Sequence, residues 1–446
     1  MRSNRTLVCI QAQTRSHRLS WPSFKRNVLD VVGADLALCI GIPEDYDYSN
    51  PYWQHAKYRW TSAEYDDFGK AFDLIKIHEL GDRTDPGDWR MLISIRDQWL
   101  GGINHDDSHP GSGAIVLFFR WLLLFHLKKE NILQRYDRFI ITRSDFIWEC
   151  PHPPLEYMSD EFIWVPDGEE YGGIADRHAV LSTKNIHDYL DLTKSIIHNP
   201  LALWQRMSSK STWNPEQFLL AELLERGYKD KIKSFPYVMY AARERGGSTR
   251  WAKGVWSPEL GCYIKYISEY NSATIFRELI KSREDWIKCA SKNKSLFLVT
   301  ASLHHIDGSQ VVFNNGRLKA RCPAKLNGND IAVKVEVRNG ECYPIFPKVS
   351  RIDVRPSCIK RLKLYSNERN AFNLQCDDGG FLYVNRQNNI GKSGPLRGGW
   401  TRCLRTLKLH QFGRSYQFKL LLDSNFGSGF SGQDSQWSQK SSEATR

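Results

Sequence analysis

Short runs of uninterrupted apolar residues, separated by helical stretches, constrain this chain more than any other feature. Leu7-Val8-Cys9-Ile10, Leu36-Ala37-Leu38-Cys39-Ile40 and the run 138–142 around Phe139-Ile140-Ile141 are apolar at successive positions. A strand reads this way when both of its faces are covered, as in a parallel sheet flanked by helices. Between these runs, Phe24, Val28 and Val32 recur at helical spacing after a polar loop over 11–20. Residues 112–134 form a helix that is apolar nearly all round and is therefore expected to be buried. Leu74-Ile75-Lys76-Ile77 reads as a third strand, 162–165 and 179–182 as further strands, and 184–197 and 214–226 as helices. A last helix opens at Ser272, with Ile275, Phe276, Leu279, Ile280, Trp286 and Ile287 largely on one side. The β-α-β alternation predicts an α/β domain over residues 1–293, built on a doubly wound, mostly parallel sheet.

From residue 294 the pattern changes. Helical spacing gives way to short strands punctuated by Asn314-Asn315-Gly316, Asn327-Gly328-Asn329, Asn339-Gly340, Asp378-Gly379-Gly380 and Gly398-Gly399. Turn signals at that density predict a smaller all-β domain over 294–422, a sandwich or barrel of roughly a dozen strands. The positive charge concentrates there: 22 Lys and Arg against 8 Asp and Glu give +14, whereas 38 against 39 in residues 1–293 give −1. A basic block of this kind suits an anionic surface or an acidic polymer, and equally a solvated face. Residues 423–446 are rich in Ser, Gly and Gln and read as a disordered tail.

Composition excludes several classes. Mean hydropathy is −0.50, and the longest apolar stretch, 114–127, is interrupted by Arg120 and His126, so no transmembrane helix is expected. The N-terminal residues carry no signal-peptide apolar core, which points to a cytoplasmic protein, either free or peripheral at a membrane. The 10 cysteines form no CxxC pair and read as reduced core residues. A GxSxG elbow and a GxxxxGK[ST] loop are both missing, which removes α/β-hydrolase and P-loop readings. The 15 tryptophans suit a large core or a site that stacks sugars or bases.

In an open parallel sheet, ligands bind beyond the carboxyl ends of the strands. The run 138–142 delivers Arg143-Ser144-Asp145 there. These residues either cap the strand as an ion pair or serve a nucleotide-sugar site, with Asp145 as a hard oxygen ligand for a divalent cation.

The segment YDRFIITRSDFIW, followed by IWVPDGEEYGGIADRHAVLS, resembles glycosyltransferases of the GT-A type, whose nucleotide-binding half is Rossmann-like. The similarity is to the group associated with lipopolysaccharide and surface-glycan synthesis in bacteria and in large algal viruses. The opening VCIQAQTRS, SFKRNVLD and ADLALCI are similar to the first β-α-β unit of those enzymes, and the resemblance covers about residues 5–245. It implies a nucleotide-sugar donor, a glycan or lipid-linked acceptor, and a DxD motif that holds Mn or Mg against the diphosphate. Asp145 matches the last Asp of that motif, while Arg143 stands at the first, which puts the metal in question. Arg143 suits a bidentate diphosphate contact of its own. Gln11, Thr14 and Arg15, after the first strand, are placed to touch the nucleotide or to form an ordinary polar loop.

Gly172 and Gly173 allow a tight turn or a close approach to a sugar. Asp176 and His178 are candidates for sugar hydrogen bonds, with Asp176 also a second catalytic carboxylate; alternatively Asp176 pairs with Arg177 and His178 sits in the core. Asn214-Pro215-Glu216 is a good helix start, with Asn214 as cap. Glu216 then either complements the helix dipole or serves as the catalytic base of an inverting transferase. Arg243, Arg245, Arg250, Trp251, Lys253 and Trp256, with Gly246-Gly247, form a loop over the diphosphate or an ordinary surface loop. Asp145→Asn keeps the side chain's shape and is expected to fold without transferring sugar.

The leading reading is a glycosyltransferase with an appended β domain, whose segments FNLQCDDGGFLYVN and GPLRGGW loosely resemble β-trefoils of the fascin or lectin kind. The alternative is a catalytically degenerate protein that binds glycan or nucleic acid.

Overall fold

The computed structural model describes residues 5–292 except 84–85, 96–97, 105–108, 211, 248 and 250–252, and, beyond them, 299–305, 310–314, 317–321, 324, 331–338, 341–345, 362–366, 372–376, 382–384, 390–392, 410–411, 414–415 and 418–422. Strand β1 (Thr6–Ala12) leads into α1 (His17–Phe24), which continues through a π-helical turn, Lys25–Leu29, into α2 (Asp30–Val32). Gly33 ends this helix at φ +61, a left-handed conformation that glycine adopts without strain. Strand β2 (Asp35–Ile42) follows, then α3 (Pro51–His55), started by an Asn50 cap and a proline at its first position. Strand β3 (Tyr58–Ala63) and α4 (Phe68–Leu80) come next, then the buried α5 (Gly113–Lys129) and β4 (Arg138–Thr142). After β5 (Phe146–Trp148), β6 (Ile163–Asp167) and β7 (Ala179–Ser182) come the helices α6 (Ile186–Leu190), α7 (Thr193–His198), α8 (Pro200–Met207) and α9 (Pro215–Glu225). The segment closes with β8 (Ile232–Pro236), β9 (Met239–Arg243), β10 (Val255–Ser257), β11 (Cys262–Ile264), α10 (Ile267–Leu279) and α11 (Arg283–Lys292).

Seven strands form one sheet in the order β3-β2-β1-β4-β7-β6-β8. The pairs β2–β3, β1–β2, β1–β4 and β6–β8 are parallel, and β7 alone runs opposite to its neighbours β4 and β6. The doubly wound, mostly parallel sheet is therefore present. Successive residues of one strand feed two different cores. Leu7, Cys9, Ala37, Cys39, Phe139 and Ile141 pack with α4 and α5, while Val8, Ile10, Leu36, Leu38, Ile40 and Ile140 pack with α1 and α10. That two-sided burial is the physical origin of the unbroken apolar runs. Strands β10-β11-β9-β5 form a small antiparallel sheet. Chain order reverses between β1 and β4, so the crevice beyond their carboxyl ends is the switch point of the sheet.

Two expectations are corrected. Leu74-Ile75-Lys76-Ile77 lies inside α4, and the third parallel strand is β3. Phe68, Ala71, Phe72 and Ile75 face the core at helical spacing, while Leu74 and Ile77 are exposed, so the apolar run straddles two faces of a helix. The helix read from Ser272 is two helices. The chain turns extended at Ile280, and the Lys281 and Ser282 amides donate to Asp285 Oδ2, which starts α11.

Past 298 the described residues are almost all strand, in antiparallel sheets of nine and four strands. Val299–His305, for instance, pairs with both Lys334–Arg338 and Phe418–Leu422. The boundary at 293/294, the turns at 315–316, 327–329, 339–340, 378–380 and 398–399, and the tail 423–446 lie outside the described residues. Cys9, Cys39, Cys150 and Cys262 are free and buried. No described helix is long and apolar enough to cross a membrane.

Candidate functional site

A cavity of about 360 Å³ opens at the switch point. Gln11 and Ala12 at the end of β1 with Gln13 and Arg15 after it, and Thr142 at the end of β4 with Arg143, Ser144 and Asp145 after it, line it. The turn after β1 is held in an unusual backbone: Ala12 sits at φ +70 and Ser16 at φ +56, values that favour glycine. Ser144 pins this turn by donating to the Gln13 and Arg15 carbonyls, at 2.9 and 3.1 Å. Such strain persists only where the surroundings enforce it.

Asp145 is 1% exposed and lies under three guanidinium groups. Arg143 approaches as a fork, Nε to Oδ1 at 2.9 Å and Nη2 to Oδ2 at 2.8 Å. Arg15 Nε donates to Oδ2 at 2.9 Å, and Arg243 Nη1 to the same oxygen at 2.5 Å. Burial alone would raise this carboxyl's pKa, but Arg143, Arg243 and Arg15 together hold it well below the ordinary carboxylate value. Burial lowers Arg15 to about 10, opposed by Asp145 and assisted by the neighbouring guanidiniums. Lys265, just past β11, also lines the cavity, and burial followed by Arg143, Arg243 and Arg177 brings it down to about 7. Arg177 is clamped from behind by Glu269 at 2.5 Å and the Tyr237 hydroxyl at 2.9 Å, with the Tyr266 ring 4.5 Å away.

This donor set does not fit a divalent cation at Asp145. Both carboxylate oxygens already accept from guanidiniums, and a metal ion would sit among three fixed positive charges.

A second cavity of about 210 Å³ adjoins the first. Ser112, Val116, Arg143, Asp176, Arg177 and Lys265 line both, and Glu216, Asn214, Tyr171 and Tyr266 belong to the second. Burial, and then Asp176, raises Glu216 to about 7. Asn214 does cap α9, its Oδ1 accepting from Gln217 N at 2.8 Å, and its Nδ2 donates to the Tyr171 carbonyl at 2.9 Å. The glycine pair serves this junction. Gly172 lies at φ +79, and a Cβ on Gly173 would come within 2.1 Å of the Glu216 backbone. Gly173→Ala is therefore expected to push the start of α9 away and cost about 1–3 kcal/mol, read as a lower urea midpoint. An unchanged midpoint contradicts this contact.

The structure thus brings together Gln11, Arg15, Arg143, Asp145, Asp176 and Glu216 around the two cavities, with Gly172 and Gly173 behind Glu216. Thr14 and His178 are not among the lining residues. Thr14 bonds the Tyr46 hydroxyl at 2.8 Å. His178 is a core residue, its Nδ1 3.0 Å from Thr142 Oγ1 and its ring beside Trp148, His152 and Phe235. Burial keeps both histidines neutral, His152 down to about 4 and His178 well below its ordinary 6.5. The unfolded chain takes up both protons near pH 6.5, so stability is full above that pH and is lost as pH falls towards 4. In Glu216→Gln, which lacks the opposing titration of Glu216, melting temperatures across this window should drop steadily, and a flat profile contradicts a neutral buried pair.

Sequence reasoning missed Arg177, Lys265, Glu269 and Tyr266 as site residues and placed Arg243 in a loop, over the diphosphate or on the surface, whereas it ends the fully buried strand β9, as Arg143 follows β4. A charge at the end of an apolar strand was the available signal. In the same segment, Arg245 lies 5.7 Å from the Trp256 ring, and Arg250 and Trp251 lie outside the described residues.

No family model matches the chain, and no curated protein matches it.

Proposed function

We propose that the chain is a glycosyltransferase of GT-A type that moves a sugar from a nucleotide-diphosphate donor to a glycan or other surface acceptor. The observation that carries this reading is the pairing of two joined cavities, one rich in cations and one holding a carboxyl group near pKa 7. Its place at the switch point of the sheet supports it, as does the strand order β3-β2-β1-β4 followed by one antiparallel strand.

In this reading the diphosphate lies against Arg15, Arg143 and Lys265, and the acceptor enters beside Glu216 and Asp176. Ionised Glu216 takes the proton of the acceptor hydroxyl as that oxygen bonds to the anomeric carbon. The bond from that carbon to the diphosphate breaks, and the leaving group carries its electron pair into the cationic cavity. The positive balance of 294–422 supports a further role, holding a large anionic acceptor or an anionic membrane surface.

Screening UDP-, GDP- and CMP-sugars for product release tests the proposal; full protection from melting by a nucleotide sugar without any turnover would instead favour the degenerate binding protein. Attraction through 294–422 is screened over about 8 Å at physiological salt. Binding of the full chain to acidic polysaccharide or anionic vesicles should therefore weaken as salt rises. Salt-independent binding, or none at low salt, leaves the basic segment a solvated face.

A further inference from the structure

We propose that this site binds its diphosphate without a divalent metal, the charge of the ion being supplied by a guanidinium cluster built on Asp145. The inference rests on the proposed donor class. Its starting point is a charge balance: Arg15, Arg143 and Arg243 share one carboxylate, which leaves that cluster at +2, the charge a divalent ion would bring, while Glu64 and Asp176 line the same cavity outside the cluster. Arg177 is neutralised by Glu269, so it adds little. Lys265 lines the same cavity without an ion-pair partner among the described residues, and a bound anion favours its charged form.

Donor geometry points the same way. Asp145 occupies Nε of Arg15 and Nε and Nη2 of Arg143. Both terminal nitrogens of Arg15 and Nη1 of Arg143 have no hydrogen-bond partner among the described residues, and the two side chains remain 32% and 22% exposed towards the cavity. Asp145 is thus a brace: it orients the guanidiniums and lets mutually repelling cations share one wall. Free N–H groups fixed in this way suit the oxygens of a phosphate or diphosphate, which guanidinium forks bind in paired contacts.

Calorimetric titration of the full chain with UDP and GDP, in EDTA and then with Mn or Mg, tests this. The expected result is binding in EDTA within about threefold of that with metal. Lys265→Met is half-buried at the cavity wall and should fold; losing one charge-assisted contact should weaken binding about tenfold or more. Arg143→Gln, checked for folding by circular dichroism, should do the same. Binding only with metal overturns the inference and leaves the transferase reading standing. Binding in EDTA that neither Arg143→Gln nor Lys265→Met weakens also overturns it, since the diphosphate then lies elsewhere. Failure of both nucleotides to bind under either condition overturns the inference together with the donor class on which it rests.

Discussion

Asp145→Asn is expected to cost about 3–5 kcal/mol of folding stability, the loss typical when one partner is removed from a buried ion cluster. The carboxylate is 1% exposed and accepts from Arg15, Arg143 and Arg243. An amide keeps the shape but brings an NH2 group against guanidinium N–H groups and leaves three positive charges uncompensated. Arg243 is 2% exposed and cannot turn to water. The sequence alone suggests a variant that folds and merely fails to turn over; burial under three cations reverses that expectation. Urea unfolding measures the difference. A midpoint equal to that of the parent protein would mean that the cluster is not formed as described.

Glu216→Gln is expected to lower turnover about 10²–10⁴-fold, the range typical for loss of a general base. The parent rate should rise with pH through about 7, because only ionised Glu216 accepts a proton. Stability should move the other way. The folded carboxyl titrates near 7 and the unfolded one near the ordinary 4.5, so the folded state holds the extra proton between these values and loses stability as pH rises through them. Glu216→Gln removes that loss and should melt at or above the parent temperature at pH 8. A helix-dipole role predicts the opposite, a loss of about 0.3–1 kcal/mol with turnover unchanged.

The parts of the fold legible in the sequence were those set by burial on two faces. Unbroken apolar runs marked β1, β2 and β4 because each feeds both cores. Strand β3 was not legible: Tyr58–Ala63 lies at the sheet edge, with Trp60 its only buried residue. Helix α4 was misread because Leu74 and Ile77 are apolar yet face outward. In the site, Arg143, Asp145 and Glu216 were legible because each stands directly beyond a strand or at a helix start. Lys265 and Glu269 were not, since their place depends on β9 and β11 meeting, a contact between residues that short-range patterns do not encode.

Sugar transfer itself is the most direct measurement. The full chain incubated with UDP-, GDP- and CMP-sugars and glycan acceptors, and followed by release of the nucleotide together with a mass increase of the acceptor, should turn over at least one UDP- or GDP-sugar, and turnover of a CMP-sugar alone would contradict a diphosphate donor. That turnover should collapse in Glu216→Gln while the nucleotide sugar still protects the variant from melting. If no donor is consumed, or Glu216→Gln consumes it at the parent rate, the chemistry assigned to the two joined cavities is wrong.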